Sequence, residues 1–134
     1  MLPYFKFHHL GYAVKDIKKA ARYYQKAGWI LSDITLDPIQ NTYIAFLTKE
    51  GMPKYELVAP VDDNSPIVKT LDKSGNTPYH VCYSVDDIEK AIVDLKALHF
   101  VPLFNPVPAV AIDNELICYL YNPYVGLIEI VQEK

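Results

Sequence analysis

The sequence predicts an α+β fold in which one β-α-β-β-β unit is used twice. Three observations carry that prediction. The chain matches itself along most of its length. Apolar residues recur at every second position in the segments that match. An aspartate stands at the same place in each copy, just ahead of a helical pattern. At an offset of 71, HHLGYAVKDIKKA (residues 8–20) falls on YHVCYSVDDIEKA (79–91). His9 then meets His80, Tyr12 meets Tyr83, Val14 meets Val85 and Asp16 meets Asp87. At an offset of 73, NTYIAFLTKEGMPKYELV (41–58) falls without a gap on NELICYLYNPYVGLIEIV (114–131), with Glu56 on Glu129. Self-similarity at a fixed spacing marks a repeated supersecondary unit, and the step from 71 to 73 places a two-residue difference in one loop.

The elements follow in order. An alternating strand starts at His9 and reaches about Val14. Asp16 suits an N-cap, because its carboxylate can accept from a free backbone N–H of the first turn. The helix runs to about Ala27, where Gly28 suits its end. Strands are expected at Trp29–Leu36, Thr42–Thr48 and Tyr55–Ala59. SPIVKTLDKSG reads as a linking helix, with Ser65 as cap, Pro66 in the first turn and Gly75 at the end. The second copy gives a strand at Tyr79–Val85, a helix at Asp87–Leu98, and strands at Phe100–Phe104, Leu116–Tyr121 and Leu127–Val131. The whole chain, 1–134, reads as a single domain: module one about 5–60, the linking helix about 65–75, and module two about 78–132.

Composition narrows the function. The 134 residues suit one compact domain. A net charge of -3 with dispersed signs and a single arginine, Arg22, offers no basic stripe, so nucleic acid is not an expected partner. No apolar run approaches the ~18 residues of a membrane span, and MLPYFKFHH lacks the apolar core of a signal peptide. Cys82 and Cys118 lie in strand-like runs without zinc-type spacing. Reduced thiols in the cytoplasm are the expectation.

Alternation assigns faces. His9, Gly11 and Ala13 share one, and Leu10, Tyr12 and Val14 share the other. In the second copy His80, Cys82 and Ser84 share one face, opposite Val81, Tyr83 and Val85. The bulky faces should pack on the helices. The histidine faces carry small residues and leave room for a ligand. His8 points to the helix side and is not expected to bind metal; His99 reads as structural and Cys82 as a small packing residue. Glu56 in YELVAP and Glu129 in LIEIVQ stand among apolar neighbours. A buried carboxylate without a partner is costly; a solvent-facing strand edge is the other possibility for either one alone. Two such glutamates at matched places, with two matched histidines, point to a metal site of His9, Glu56, His80 and Glu129. Two imidazoles and two carboxylates suit one divalent ion: Zn, Ni, Co or Mn.

These residues resemble the vicinal oxygen chelate superfamily, which comprises glyoxalase, bleomycin-resistance and dioxygenase proteins. The likeness covers nearly the whole chain. HHLGYAVKDIKKAARYY, YELVAPVDDNSPIVKTL, YHVCYSVDDIEKAIVDLK and GLIEIVQ are most similar to the methylmalonyl-CoA epimerases. The resemblance implies two modules pairing into a cupped mixed sheet around the metal, with His9, Glu56, His80 and Glu129 at the ligand positions. It implies a metal-dependent isomerase that moves a proton next to a carbonyl, with Glu129 as the catalytic group and Glu56 in the symmetric role. It also implies a small-molecule substrate (a thioester, or a glutathione adduct if the chemistry is that of a glyoxalase I-like lactoylglutathione lyase) and a homodimer. An antibiotic-binding resistance protein of the same fold is a further alternative. The chain departs from the epimerases at two places. Some carry a second acid on the strand that here reads TYIAFLT, where Tyr43 is the remaining candidate relay, although a core or rim tyrosine is the plainer reading. The segment Val107–Asn114 lacks their glycine-rich character.

Overall fold

The computed structural model describes residues 1–133; Lys134, the last residue of the expected single domain, lies outside the described residues. The chain forms two compact units, one of His9–Tyr79 and one of Met1–His8 with His80 onward. Each contains a mixed β-sheet with a helix on one face.

In the first unit, strand β1 (Lys6–Ala13, whose first three residues count with the other unit) leads to helix α1 (Ile17–Lys26). Strands β2 (Ile30–Leu31), β3 (Thr35–Asp37), β4 (Thr42–Thr48) and β5 (Tyr55–Pro60) follow, then helix α2 (Ile67–Ser74). β1 and β5 are parallel neighbours, with Gly11 opposite Glu56 and Tyr12 opposite Leu57. β4 pairs antiparallel with β5, placing Phe46 opposite Glu56 and Ala45 opposite Leu57. Because side chains alternate, one face holds Val14, Ala45, Leu47, Leu57 and Ala59, which close over Ile17, Ala21 and Trp29 as a core. The other face holds His9 and Glu56.

Asp16 caps α1 as expected, accepting from the Lys19 backbone N–H at 2.9 Å. Gly28 follows at φ +92, a left-handed turn that a side chain would strain. Two expectations need correction. The single strand anticipated over Trp29–Leu36 is two short strands, both on β4, at registers that differ by one residue: Leu31 lies opposite Leu47, but Thr35 lies opposite Ile44. Ser32 causes the break. Its hydroxyl accepts the Phe46 N–H at 2.8 Å, a bond that a strand would take on a backbone carbonyl. Nor does Ser65 cap α2. Its hydroxyl faces back along the chain and accepts the Val61 N–H at 2.8 Å, while Pro66 starts the helix with no side-chain cap. Gly75 does end α2, at φ +67.

The second unit repeats the plan with β6 (Thr77–Val85), α3 (Ile88–Ala97), β7 (Val101–Pro102), β8 (Val107–Ala109), β9 (Glu115–Asn122) and β10 (Gly126–Gln132). Asp87 caps α3 through the Lys90 N–H at 3.1 Å. β10 is parallel to β6, with Glu129 opposite Cys82, and antiparallel to β9, with Glu129 opposite Tyr119. Val85, Cys118, Leu120, Ile128 and Ile130 share the face that packs on Ile88, Ala91 and Leu95. The strand expected at Phe100–Phe104 is shorter, only β7, and β8 lies beyond it; the two pair with β9 at separate places. A 3-10 turn, Val110–Ile112, and two left-handed residues, Asp113 (φ 53) and Asn114 (φ 59), precede β9. Among the described residues no helix is long and apolar enough to cross a membrane.

Candidate metal centre

Each unit places one histidine and one glutamate side by side on the sheet face turned away from its helix. The cause is local. A parallel pairing sets β1 beside β5 in register, so His9, two residues before Gly11, shares a face with Glu56. β6 and β10 do the same for His80 and Glu129. His9 Nε2 lies 3.4 Å from Glu56 Oε1, and His80 Nε2 lies 3.2 Å from Glu129 Oε1. All four residues are buried, at 0, 2, 3 and 2 % exposure for His9, Glu56, His80 and Glu129. The strand-edge alternative for the glutamates is thereby overturned.

These spacings fit ligands of one ion. Two donors bound at about 2.1 Å, with tetrahedral or octahedral angles between them, lie about 3.0–3.4 Å apart. Imidazole nitrogen with carboxylate oxygen is a donor set suited to borderline divalent ions. Carboxylates are also not left in apolar surroundings without a compensating positive charge.

Aromatic rings hold the histidines edge-on. Phe46 meets His9 with ring centroids 5.5 Å apart at 73°, and Tyr119 meets His80 at 5.2 Å and 86°. These two rings were missed from sequence. The offset of 73 that aligns Glu56 with Glu129 also aligns Phe46 with Tyr119, and each stands directly across from its unit's glutamate. The two histidine–glutamate pairs thus differ at this position by one phenolic hydroxyl. On the first unit's sheet, Lys54 Nζ stands 5.3 Å from the Phe46 ring centre.

The other candidates separate clearly. His8 lies on β1 one residue from His9, with its Nε2 3.4 Å from Glu133 Oε2. Tyr43 takes the plainer of its two readings: it stands opposite Ala59 on the face of Ala45 and Leu47, turned from Glu56, as a rim tyrosine. Cys82 is buried opposite Glu129. Cys118 lies on the helix side, where burial pushes its thiol up to about 11.

Comparison with known proteins gives the family and the fold. Residues 8–119 match the profile of the Glyoxalase/Bleomycin resistance protein/Dioxygenase superfamily. The chain is 33% identical over 93 residues to the mitochondrial methylmalonyl-CoA epimerase of Mus musculus, covering 68% of this chain and 52% of that protein. It thus spans about half the length of that relative. It is 27% identical over 118 residues to an ethylmalonyl-CoA/methylmalonyl-CoA epimerase of Cereibacter sphaeroides, covering 87% of each. The crystal structure of methylmalonyl-CoA epimerase from Mycobacterium tuberculosis superposes with a TM-score of 0.83 at 27% identity, over 96% of this chain and 88% of that one. A hypothetical protein from Bacillus halodurans C-125 superposes at 0.85 and 29% identity, over 97% and 95%. With the fold, the internal repeat and the profile in agreement, the chain belongs to the glyoxalase/bleomycin resistance protein/dioxygenase superfamily.

Proposed function

We propose that this chain is a single-domain, metal-dependent epimerase of the methylmalonyl-CoA epimerase type, acting on a small acyl-CoA thioester in the cytoplasm. The observation that carries the reading is the buried histidine–glutamate pair, present once in each unit at ligand spacing. Relatives named as epimerases of methylmalonyl-CoA support the reaction class. His9, Glu56, His80 and Glu129 would together hold one divalent ion, Zn, Ni, Co or Mn. When bound, the ion polarises the substrate carbonyl and favours negative charge on its oxygen.

The chain's own residues do the rest. Glu129, flanked by Ile128 and Ile130 on a buried strand, takes the proton from the carbon beside the carbonyl. The C–H electron pair passes towards the carbonyl oxygen. Glu129 exchanges that proton with solvent, and a proton returned to the opposite face of the carbon completes inversion; Glu56, at the repeat-equivalent position, is the alternative base.

Deuterium wash-in tests this. The metal-loaded protein in heavy water should incorporate deuterium beside the carbonyl of methylmalonyl-CoA. Glu129→Gln should retain much of its metal, since an amide oxygen still coordinates, yet lose exchange by about 10²-fold or more. Exchange at the parent rate in Glu129→Gln would move the base to Glu56. Turnover of the methylglyoxal–glutathione hemithioacetal in place of methylmalonyl-CoA would replace the epimerase reading with a lyase.

A further inference from the structure

The repeat sets a groove beside the first turns of α1 and another beside those of α3, and the two are filled differently. Beside α3 the groove is closed by the chain's own start. Leu2 and Phe5 pack on the core of that unit, and the Phe5 ring lies 5.7 Å from that of Tyr83. The Tyr4 hydroxyl donates to Asp94 at 2.6 Å, while the Lys90 ammonium stands 4.1 Å above the Tyr4 ring.

At the offset of 71, Tyr4 and Phe5 correspond to Gly75 and Asn76. The chain takes the matching path in the first unit, since Asn76 Oδ1 accepts the Lys15 N–H at 3.1 Å. No aromatic ring comes with it. The space that two rings occupy in one groove is left as a cleft of about 510 Å³ in the other, lined by Tyr12, Lys19, Tyr23, Tyr24, Leu57 and Asn76, with Lys15 at its rim. That volume lies in the range of small-ligand sites.

The charge has changed along with the shape. Asp86, Asp87, Lys90 and Asp94 beside α3 become Lys15, Asp16, Lys19 and Tyr23 beside α1, so a net negative groove becomes a net positive one. Asp16 is the one carboxylate among the cleft's described lining residues, and its carboxylate is engaged in capping the helix. Lys19 holds the position from which Lys90 covers an aromatic ring, an arrangement that favours a cation over a π-face.

We propose that the cleft beside α1 is a second ligand site, separate from the histidine–glutamate face, for a small planar aromatic anion. The ring takes the room that Tyr4 and Phe5 fill in the other groove. The anionic group meets Lys15 and Lys19. This proposal does not rest on the epimerase reading, because the cleft opens on the helix side of the sheet, among Tyr12, Val14 and Leu57.

Two probes separate the sources of such chemistry: 4-hydroxybenzoate for an aromatic acid and adenosine monophosphate for a nucleotide. Each is titrated into the isotopically labelled full chain at low ionic strength, with amide shifts followed by NMR. At least one should saturate with a Kd of about 1 mM or tighter, with the largest shifts at Tyr12, Ala20 and Tyr24. The tighter probe assigns the source. Lys15→Glu with Lys19→Glu should weaken binding about tenfold. Both lysines are exposed and an acid in the first helical turn is favourable, so the fold is kept. Deuterium exchange at the other site should be unchanged in that variant. Ala20→Phe, which puts a ring back into the cleft, should abolish binding. Failure of both probes to saturate, or parent-like affinity in the double lysine variant, overturns the proposal.

Discussion

His8 and His9 are adjacent in sequence yet differ in expected chemistry, because one peptide step along a strand reverses the side chain. His9 shares a face with Glu56, whereas the His8 imidazole lies beside Glu133. Metal analysis separates them: His80→Ala or His9→Gln should lose most bound ion, while His8→Gln should retain it nearly in full. Equal loss in His8→Gln would mean that the ligand set is wrong. A second expectation concerns Cys118. Burial pushes its thiol up to about 11, which leaves almost none ionised at neutral pH, and the thiolate is the reactive form. It should resist a thiol reagent at pH 8 in the folded protein and react on unfolding. The four ligand candidates were legible in the sequence because the repeat doubled a signal that a lone histidine or glutamate would not carry. Ser65 shows where a residue type falls short: the type suits a role, but its direction depends on partners that the type does not encode. Tyr43, by contrast, is the rim tyrosine of its plainer reading, on the face of β4 away from Glu56. Ser65 finds a closer backbone partner than the helix it precedes.

The elements were read well where their signals are local. Asp16 and Asp87 each cap a helix through the N–H three residues on, as their spacing implied. Replacing either with alanine should lower stability by about 1 kcal/mol in urea unfolding, with the same denaturant slope as the parent. A loss within a few tenths would show that the caps are dispensable. The second strand of each module, expected at Trp29–Leu36 and Phe100–Phe104, was less legible. The break at Ser32 needs a hydroxyl to replace a backbone acceptor on β4, a long-range fact. The β7–β8 break likewise depends on where β9 runs. Alternation can be read in any short stretch, but the register between two stretches cannot.

At the scale of the whole molecule, the short strands β2 and β7 leave apolar side chains in solvent, among them Ile30 at 69% and Val101 at 61% exposure. Exposed strand edges invite pairing, and a homodimer is the expected assembly. Sedimentation at micromolar concentration should show twice the 15.3 kDa chain mass; a species of single mass alone would refute it. One feature of the architecture also governs timing. Each histidine and its glutamate lie on parallel neighbouring strands nearly fifty positions apart in the chain. Parallel neighbours need a long crossover, and contacts between distant positions form late and slowly. The capped helices, by contrast, need only local contacts. During refolding, helical signal should therefore rise before any affinity for cobalt appears, and uptake of a coloured ion would clock the closing of the sheets.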